Sequence, residues 1–185
     1  KDLTIIIVTF RSDEIIYKFI KKIPKEIAVI VVENSKNLKL KKKLEKKYKN
    51  TKVYLRNNEG VSSSLNFGVK KTKTNFLIHL SPDLSLDFKQ IKIFFKYAEL
   101  LKNNFCALGP RFLETKKRGH IQIDKKLKIG KINSIHGSYM FMNKKKLCSL
   151  LILSTVNLFM FCIAVVFSGV FTPVALSRFP NTLIE

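Results

Sequence analysis

An α/β fold is predicted for this 185-residue chain: a mainly parallel, doubly wound sheet flanked by helices, with an apolar helical segment at the C-terminal end. Three observations carry that prediction. The chain opens with Leu3–Phe10 (LTIIIVTF), a continuous β-branched run of the kind found in strands buried on both faces. Short apolar runs then alternate with stretches of helical periodicity. Finally, the polar clusters fall just after the apolar runs, where doubly wound sheets place their ligands.

The elements follow in order. Ser12 offers a helix N-cap with Asp13 and Glu14 in the first turn, and Ile15, Ile16, Phe19, Ile20 and Ile23 recur at helical spacing until Pro24. Ala28–Val32 reads as the second buried strand, ending in Glu33-Asn34-Ser35. Leu38–Tyr48 is a lysine-rich amphipathic helix, and Val53–Leu55 a short strand before Arg56-Asn57-Asn58-Glu59-Gly60. Val61–Lys71 is helical with Leu65 and Val69 inward, and Asn75–Leu80 is a fourth strand closing on Ser81-Pro82-Asp83. Phe88–Asn103 is an apolar-periodic helix, with a fifth strand at Phe105–Leu108 before Gly109-Pro110. Lys116–Lys131 is basic and glycine-punctuated, a loop or hairpin, and a strand-like YMFM follows His136-Gly137-Ser138.

Composition narrows the partners. The length fits one domain with a proper core, and 46% hydrophobic residues are too many for a disordered chain. A formal net charge of +22 favours anionic partners, yet the excess is overwhelmingly lysine spread from Lys1 to Lys146, with few arginines. A nucleic-acid interface calls for clustered arginine and exposed aromatics. Here the many phenylalanines fall at core-like positions, so nucleic acid is not the expected partner. Cys106, Cys148 and Cys162 lack paired spacing and read as buried thiols of a reducing, cytoplasmic compartment. The chain begins without a signal peptide or an initiator Met, which suggests a trimmed N-terminus.

The polar clusters suit a nucleotide. Glu33, at a strand end, is placed to accept hydrogen bonds from a base or ribose; a solvated turn residue is the competing reading. Gly60 permits positive φ or close backbone approach, and the helix after it presents free N–H groups to an anion, although plain turn chemistry explains the same residues. No P-loop pattern is present. Asp83 could hold a Mg²⁺ or Mn²⁺ ion bridging a diphosphate, while Asp87 is better read as the next helix's N-cap. His79, within a strand, reads as structural, and His136 beside Gly137 is more open.

Taken as an ordered set over residues 3 to 146, these segments resemble glycosyltransferase family 2, in its rhamnosyltransferase-like branch with the GT-A fold. The resemblance rests on LTIIIVTF, Glu33-Asn34-Ser35, Asn58-Glu59-Gly60 followed by Asn66-Phe67-Gly68, Ser81-Pro82-Asp83, Gly109-Pro110 and Gly137–Met140. It implies transfer of a sugar from a nucleotide-diphosphate sugar to a glycan or lipid-linked acceptor in cell-surface polysaccharide synthesis. It also implies a substrate site including Thr9, Glu33, Asn58, Gly60, Asn66, Asp83, His136 and Gly137, with Asp83 taking the metal role. Two departures stand out: Ser81 replaces the usual Asn or Asp, and Glu33 is one methylene longer than the usual Asp.

The family's general base is not visible, because no Asp or Glu follows Leu147 until Glu185. The chain is therefore expected to be C-terminally truncated or altered, with weak or no transfer activity. Residues 1–146 are expected to form the nucleotide-sugar domain, 147–177 an uncharged apolar segment and 178–185 a tail. The apolar segment is long enough to span a bilayer, and Lys144-Lys145-Lys146 before it would keep the domain on the cytoplasmic face; a frame-altered tail or buried core are the alternatives. Another nucleotide-binding enzyme on a related sheet, or a basic nucleic-acid-binding protein, remain the competing functions.

Overall fold

The structure is a computed structural model that describes residues 2–84, 88–101, 104–110, 129–132, 138–151 and 164–167. The chain divides into two compact units, Lys1–Asp83 and Leu84–Glu185.

The first unit is a four-stranded parallel sheet. Its strands are β1 (Leu3–Thr9), β2 (Ala28–Glu33), β3 (Thr51–Leu55) and β4 (Phe76–Leu80), in the spatial order β3-β2-β1-β4. The connecting helices are α1 (Asp13–Ile20), α2 (Leu38–Lys47) and α3 (Gly60–Lys71). Ile5, Ile6 and Ile7 on β1 are fully buried, as are Val31 and Val32 on β2 and Leu77 and Ile78 on β4. A strand covered on both faces needs apolar residues at successive positions, which is why β1 reads as an unbroken run instead of an alternation. Right-handed crossovers put α1 and α2 on one face of this sheet and α3, whose connection runs the other way, on the opposite face. At the starting edge, the Asp2 carboxylate accepts from Asn75 N at 2.6 Å and Asn75 Nδ2 at 2.5 Å, tying the entries of β1 and β4 together.

The second unit holds α4 (Ile91–Leu100), entered through a 3-10 turn at Phe88–Gln90, and β5 (Ala107–Pro110), β6 (Ile129–Ile132), β7 (Tyr139–Asn143), α5 (Lys144–Leu151) and β8 (Ala164–Phe167). β5 pairs antiparallel with β7 and parallel with β8, and β6 pairs antiparallel with β8. An aromatic core forms around Phe141, with Phe94 stacked at 5.5 Å, Phe105 at 5.9 Å and Phe95 edge-on at 5.3 Å.

The α/β architecture expected from the sequence is the one observed, with local differences. Ser12 occupies the N-cap position of α1 but its Oγ donates back to Phe10 O at 2.9 Å, because Arg11 turns the chain through a left-handed φ of 51°. The basic region read as a loop or hairpin contributes β6 at its end. The apolar segment begins as α5, and Ala164–Phe167 within it is a strand; the rest of 147–177 lies outside the described residues. A strand is available to these residues because Val165 and Val166 are β-branched and Phe167 is aromatic. Among the described residues no helix is long and apolar enough to cross a membrane.

The two glycines of the repeated Asn-x-Gly pattern serve different constraints. Gly60 has φ 86°, a conformation that costs other residues about 1–2 kcal/mol, and open space where a side chain would go. Gly68 has ordinary helical geometry, but a Cβ there would lie 2.7 Å from Ile6 Cγ2. α3 therefore sits so close on β1 that a side chain at position 68 would force Ile6 to shift. Gly68→Ala should destabilise the chain by about 1–3 kcal/mol through overpacking, although alanine is the better helix former by about 1 kcal/mol. A urea-unfolding midpoint that rises in this variant would contradict the close-packing account.

Candidate functional site at the carboxyl edge of the parallel sheet

The register of the first unit sets its strand ends side by side. Thr9 is aligned with Glu33, and Glu33 with Leu55, while Ile6 is aligned with His79 on the other flank of β1. The loops after β1, β2, β3 and β4 consequently leave one edge of the sheet. The chain steps outward from β1 to β2 to β3, then returns to the far side of β1 to make β4. The crevice at such a reversal, outside the carboxyl ends of β1 and β4, is where open parallel sheets bind ligands.

Thr9 stands at that reversal. Its residue is 3% exposed, and its Oγ1 is buried with no hydrogen-bond partner. A hydroxyl in that condition costs about 1–3 kcal/mol unless something from outside satisfies it. Its backbone is well used: Asn34 N donates to Thr9 O at 2.9 Å. Asn34 Oδ1 accepts from Ser64 Oγ at 2.8 Å, which links the ends of β1 and β2 to α3 through buried groups.

The loop after β2 is organised by Glu33. Its side chain is fully buried, and its carboxylate accepts from Ser35 N at 2.9 Å, from Ser35 Oγ, and from Asn37 N at 2.6 Å. Lys36 between them has a left-handed φ of 58°, so the carboxylate holds a turn that the backbone alone disfavours. Asn37 then caps α2 by accepting from Leu40 N at 2.9 Å, and donates Nδ2 to Asp13 Oδ2 at 2.8 Å on α1. The extra methylene of Glu33 is what lets its oxygens reach over its own loop. Three of its roughly four acceptor positions are used this way.

The loop after β3 is braced by Arg56. Its guanidinium pairs with Glu59 Oε2 at 2.6 Å, donates to Ser63 O at 3.2 Å and lies 4.7 Å over the Phe67 ring. Ser63 Oγ donates to the same Glu59 oxygen at 2.8 Å. Asn58 is exposed, with its Oδ1 accepting from Gly60 N at 3.3 Å. On α3, Asn66 Oδ1 is buried without a partner.

After β4, the exposed Asp83 accepts from Ser81 Oγ at 2.5 Å. No group of three His, Cys, Asp or Glu suited to a metal forms among the described residues. His79 is buried, and its Nδ1–H donates to Ile6 O at 3.2 Å. Burial lowers its pKa to about 4, so the ring is neutral near pH 7 and holds β4 to β1. Cys106 is half-buried, and burial pushes its thiol pKa up, which suits an unreactive thiol. Asp87, His136, Gly137, Cys162 and the side chain of Cys148 lie outside the described residues.

The structure thus brings Thr9, Glu33, Asn58, Gly60 and Asp83 to one edge of one sheet, with Asn66 on the helix that follows. Three residues with structural roles at this edge were not singled out from sequence: Asn34, Ser64 and Arg56. Ser64 carried a usable signal, because it shares the inward helical spacing of Leu65 and Gly68 and a buried hydroxyl must find a partner. Glu33→Ala removes the acceptor for three donors and should cost about 2–4 kcal/mol, with Glu33→Gln costing less because one amide oxygen remains. Urea unfolding of the three proteins measures this; an unchanged midpoint in Glu33→Ala would show that the carboxylate does not hold the loop.

Comparison with known proteins agrees with this geometry. The model for glycosyl transferase family 2 matches residues 4–167. Among solved structures, S. aureus TarS 1-349 superimposes with a TM-score of 0.61 at 18% identity, covering 82% of this chain and 50% of that one. The same TarS fragment in complex with UDP-GlcNAc gives a TM-score of 0.62. The mannosyltransferase PcManGT from Pyrobaculum calidifontis, in complex with GDP-Man and Mn²⁺, gives 0.60 at 12% identity, covering 80% of this chain and 46% of that one. This chain thus spans about half the length of these solved structures. A search of curated protein sequences finds no match. The family match runs from β1 into β8, over the same parallel sheet whose polar loops gather on one edge, and this chain belongs to glycosyl transferase family 2.

Proposed function

We propose that this chain binds a nucleotide-diphosphate sugar at the carboxyl edge of its parallel sheet and serves sugar transfer to a glycan or lipid-linked acceptor. The observation that carries the reading is Thr9: a buried hydroxyl without a partner, at the strand end beside the topological reversal. A ligand with many donors and acceptors, such as a nucleoside diphosphate, satisfies it. Family membership supports the same reading, as do the similar folds crystallised with UDP-GlcNAc and with GDP-Man and Mn²⁺.

In this proposal the nucleobase lies against the Glu33 loop and uses the acceptor position that the turn leaves over. Asn58 and Gly60 line the nucleotide pocket, and Asn66 Oδ1 offers a second unsatisfied acceptor. The family resemblance also assigns His136 and Gly137, which lie outside the described residues, to substrate binding. Asp83 is the metal ligand. A hard divalent cation that keeps several waters, and is held by one carboxylate plus substrate phosphates, suits a single exposed Asp. When bound, Mg²⁺ or Mn²⁺ would offset the charge on the departing nucleoside diphosphate. The chain's own residues bind and orient the donor; we assign no residue as general base. The rhamnosyltransferase-like branch, a polysaccharide pathway and a place on the cytoplasmic face of a membrane belong to the same proposal.

A thermal-shift screen with UDP, GDP and dTDP sugars, with and without Mn²⁺, tests it. One nucleotide at a hundredfold excess over its Kd should raise the Tm by about 5–10 °C. Asp83→Ala should lose the Mn²⁺-dependent part of that rise with little change in the ligand-free Tm. No shift with any nucleotide, with or without the ion, would end the proposal.

A further inference from the structure

The lysine excess of the first unit is concentrated, not scattered. From Lys18 to Lys52 the chain carries 13 lysines against three glutamates. One glutamate, Glu33, is buried in its own loop. Another, Glu45, is turned toward β3, where it accepts from Val53 N at 2.9 Å and pairs with Lys52 at 3.5 Å. Glu26 is exposed in the turn after α1.

On α2 the exposed residues after Leu38 are Lys39, Lys42, Lys43, Lys46 and Lys47. Their spacing of 3, 4, 7 and 8 from Lys39 traces one continuous stripe along the outer face of the helix. Like charges three and four residues apart destabilise a helix, so this face is at a disadvantage until anions meet it. The stripe continues onto the neighbouring helix. Lys43 and Lys47 lie 4.5 and 4.7 Å over the Tyr17 ring of α1, and Lys18, Lys21, Lys22 and Lys25 are exposed along and beyond α1. The acids of α1, Asp13 and Glu14, are at its opposite end, where Asp13 is tied to Asn37.

The same two helices carry exposed apolar side chains. Ile15 in the first turn of α1 is 47% exposed, and Leu38 at the start of α2 is 52% exposed. A broad lysine face with exposed aliphatic side chains at one end, where Asp13 and Glu14 also stand, suits contact with anionic lipid, the ammonium groups meeting the headgroups. Lysine, a point charge on a flexible stem, suits that diffuse contact; phosphate-backbone readers favour the planar fork of arginine. We propose that the outer face of α1 and α2 docks this chain on an anionic bilayer surface. The proposal rests on charge and exposure alone and is independent of the transferase reading.

Co-sedimentation with vesicles of phosphatidylcholine, pure or with one third phosphatidylglycerol, tests it. The chain should bind the mixed vesicles, release at high salt and ignore the pure ones. The triple variant Lys42→Gln, Lys43→Gln, Lys46→Gln should bind about 100-fold more weakly, about fivefold per lysine. The charge-matched variant Lys70→Gln, Lys71→Gln, Lys73→Gln, at the end of α3 on the opposite face of the sheet, should keep its affinity within about twofold. Circular dichroism of both variants checks that the fold is kept. Equal losses in the two variants would reduce the effect to net charge and overturn the proposal, as would absence of binding to mixed vesicles. Tighter binding to duplex DNA than to vesicles at the same ionic strength would also overturn it, by making the partner a nucleic acid.

Discussion

Parallel pairing of β1 with β2 on one flank and β4 on the other is the constraint from which the first unit's organisation follows. Parallel strands share a direction, so their carboxyl ends leave the sheet on one edge, and every loop after them must be built there. That pairing requires β1 to be covered on both faces, which fixes its run of fully buried isoleucines. α3 lies close against β1, so that a side chain at position 68 would press on Ile6. The position of the site is therefore a consequence of core packing, and its chemistry is added by whichever residues stand at the strand ends.

Those residues divide into two groups by what satisfies them. Glu33 and Asn58 accept within their own loops, while Asn37 and Arg56 also reach to α1 and α3, and together they hold the left-handed turns at Lys36 and Gly60 in place. Thr9 and Asn66 have buried oxygens without partners. Asp83 stands exposed at the edge. A rigid frame of self-satisfied loops around a few unsatisfied groups is how a binding site is preorganised: the frame holds the geometry so that the ligand need not order it.

The architecture was legible in the sequence because buried parallel strands write themselves as unbroken apolar runs, and LTIIIVTF, AVIVV and NFLIHL have few other readings. The location of the polar clusters was equally legible, since each stands directly after such a run. The use of each side chain was not. Glu33 reads as a ligand contact by type and place; three-dimensional geometry adds a second use, since its longer side chain also holds Ser35 and Asn37. Ser12 reads as a cap, but Arg11 at positive φ turns its hydroxyl the other way. The stretch after Leu147 is apolar throughout and its composition does not separate helix from strand, whereas residues 164 to 167 pair with β5 and β6 as a strand.

The most direct measurement is a crystal structure of the chain grown with Mn²⁺ and a nucleoside diphosphate, either UDP, GDP or dTDP. The nucleotide should lie outside the carboxyl ends of β1 and β4, with Thr9 Oγ1 hydrogen-bonded to it or to a water it holds, and with its diphosphate toward Asp83. A nucleotide seated at the opposite edge of the sheet or on a helix face, with Thr9 still unpartnered, would contradict the placement of the site.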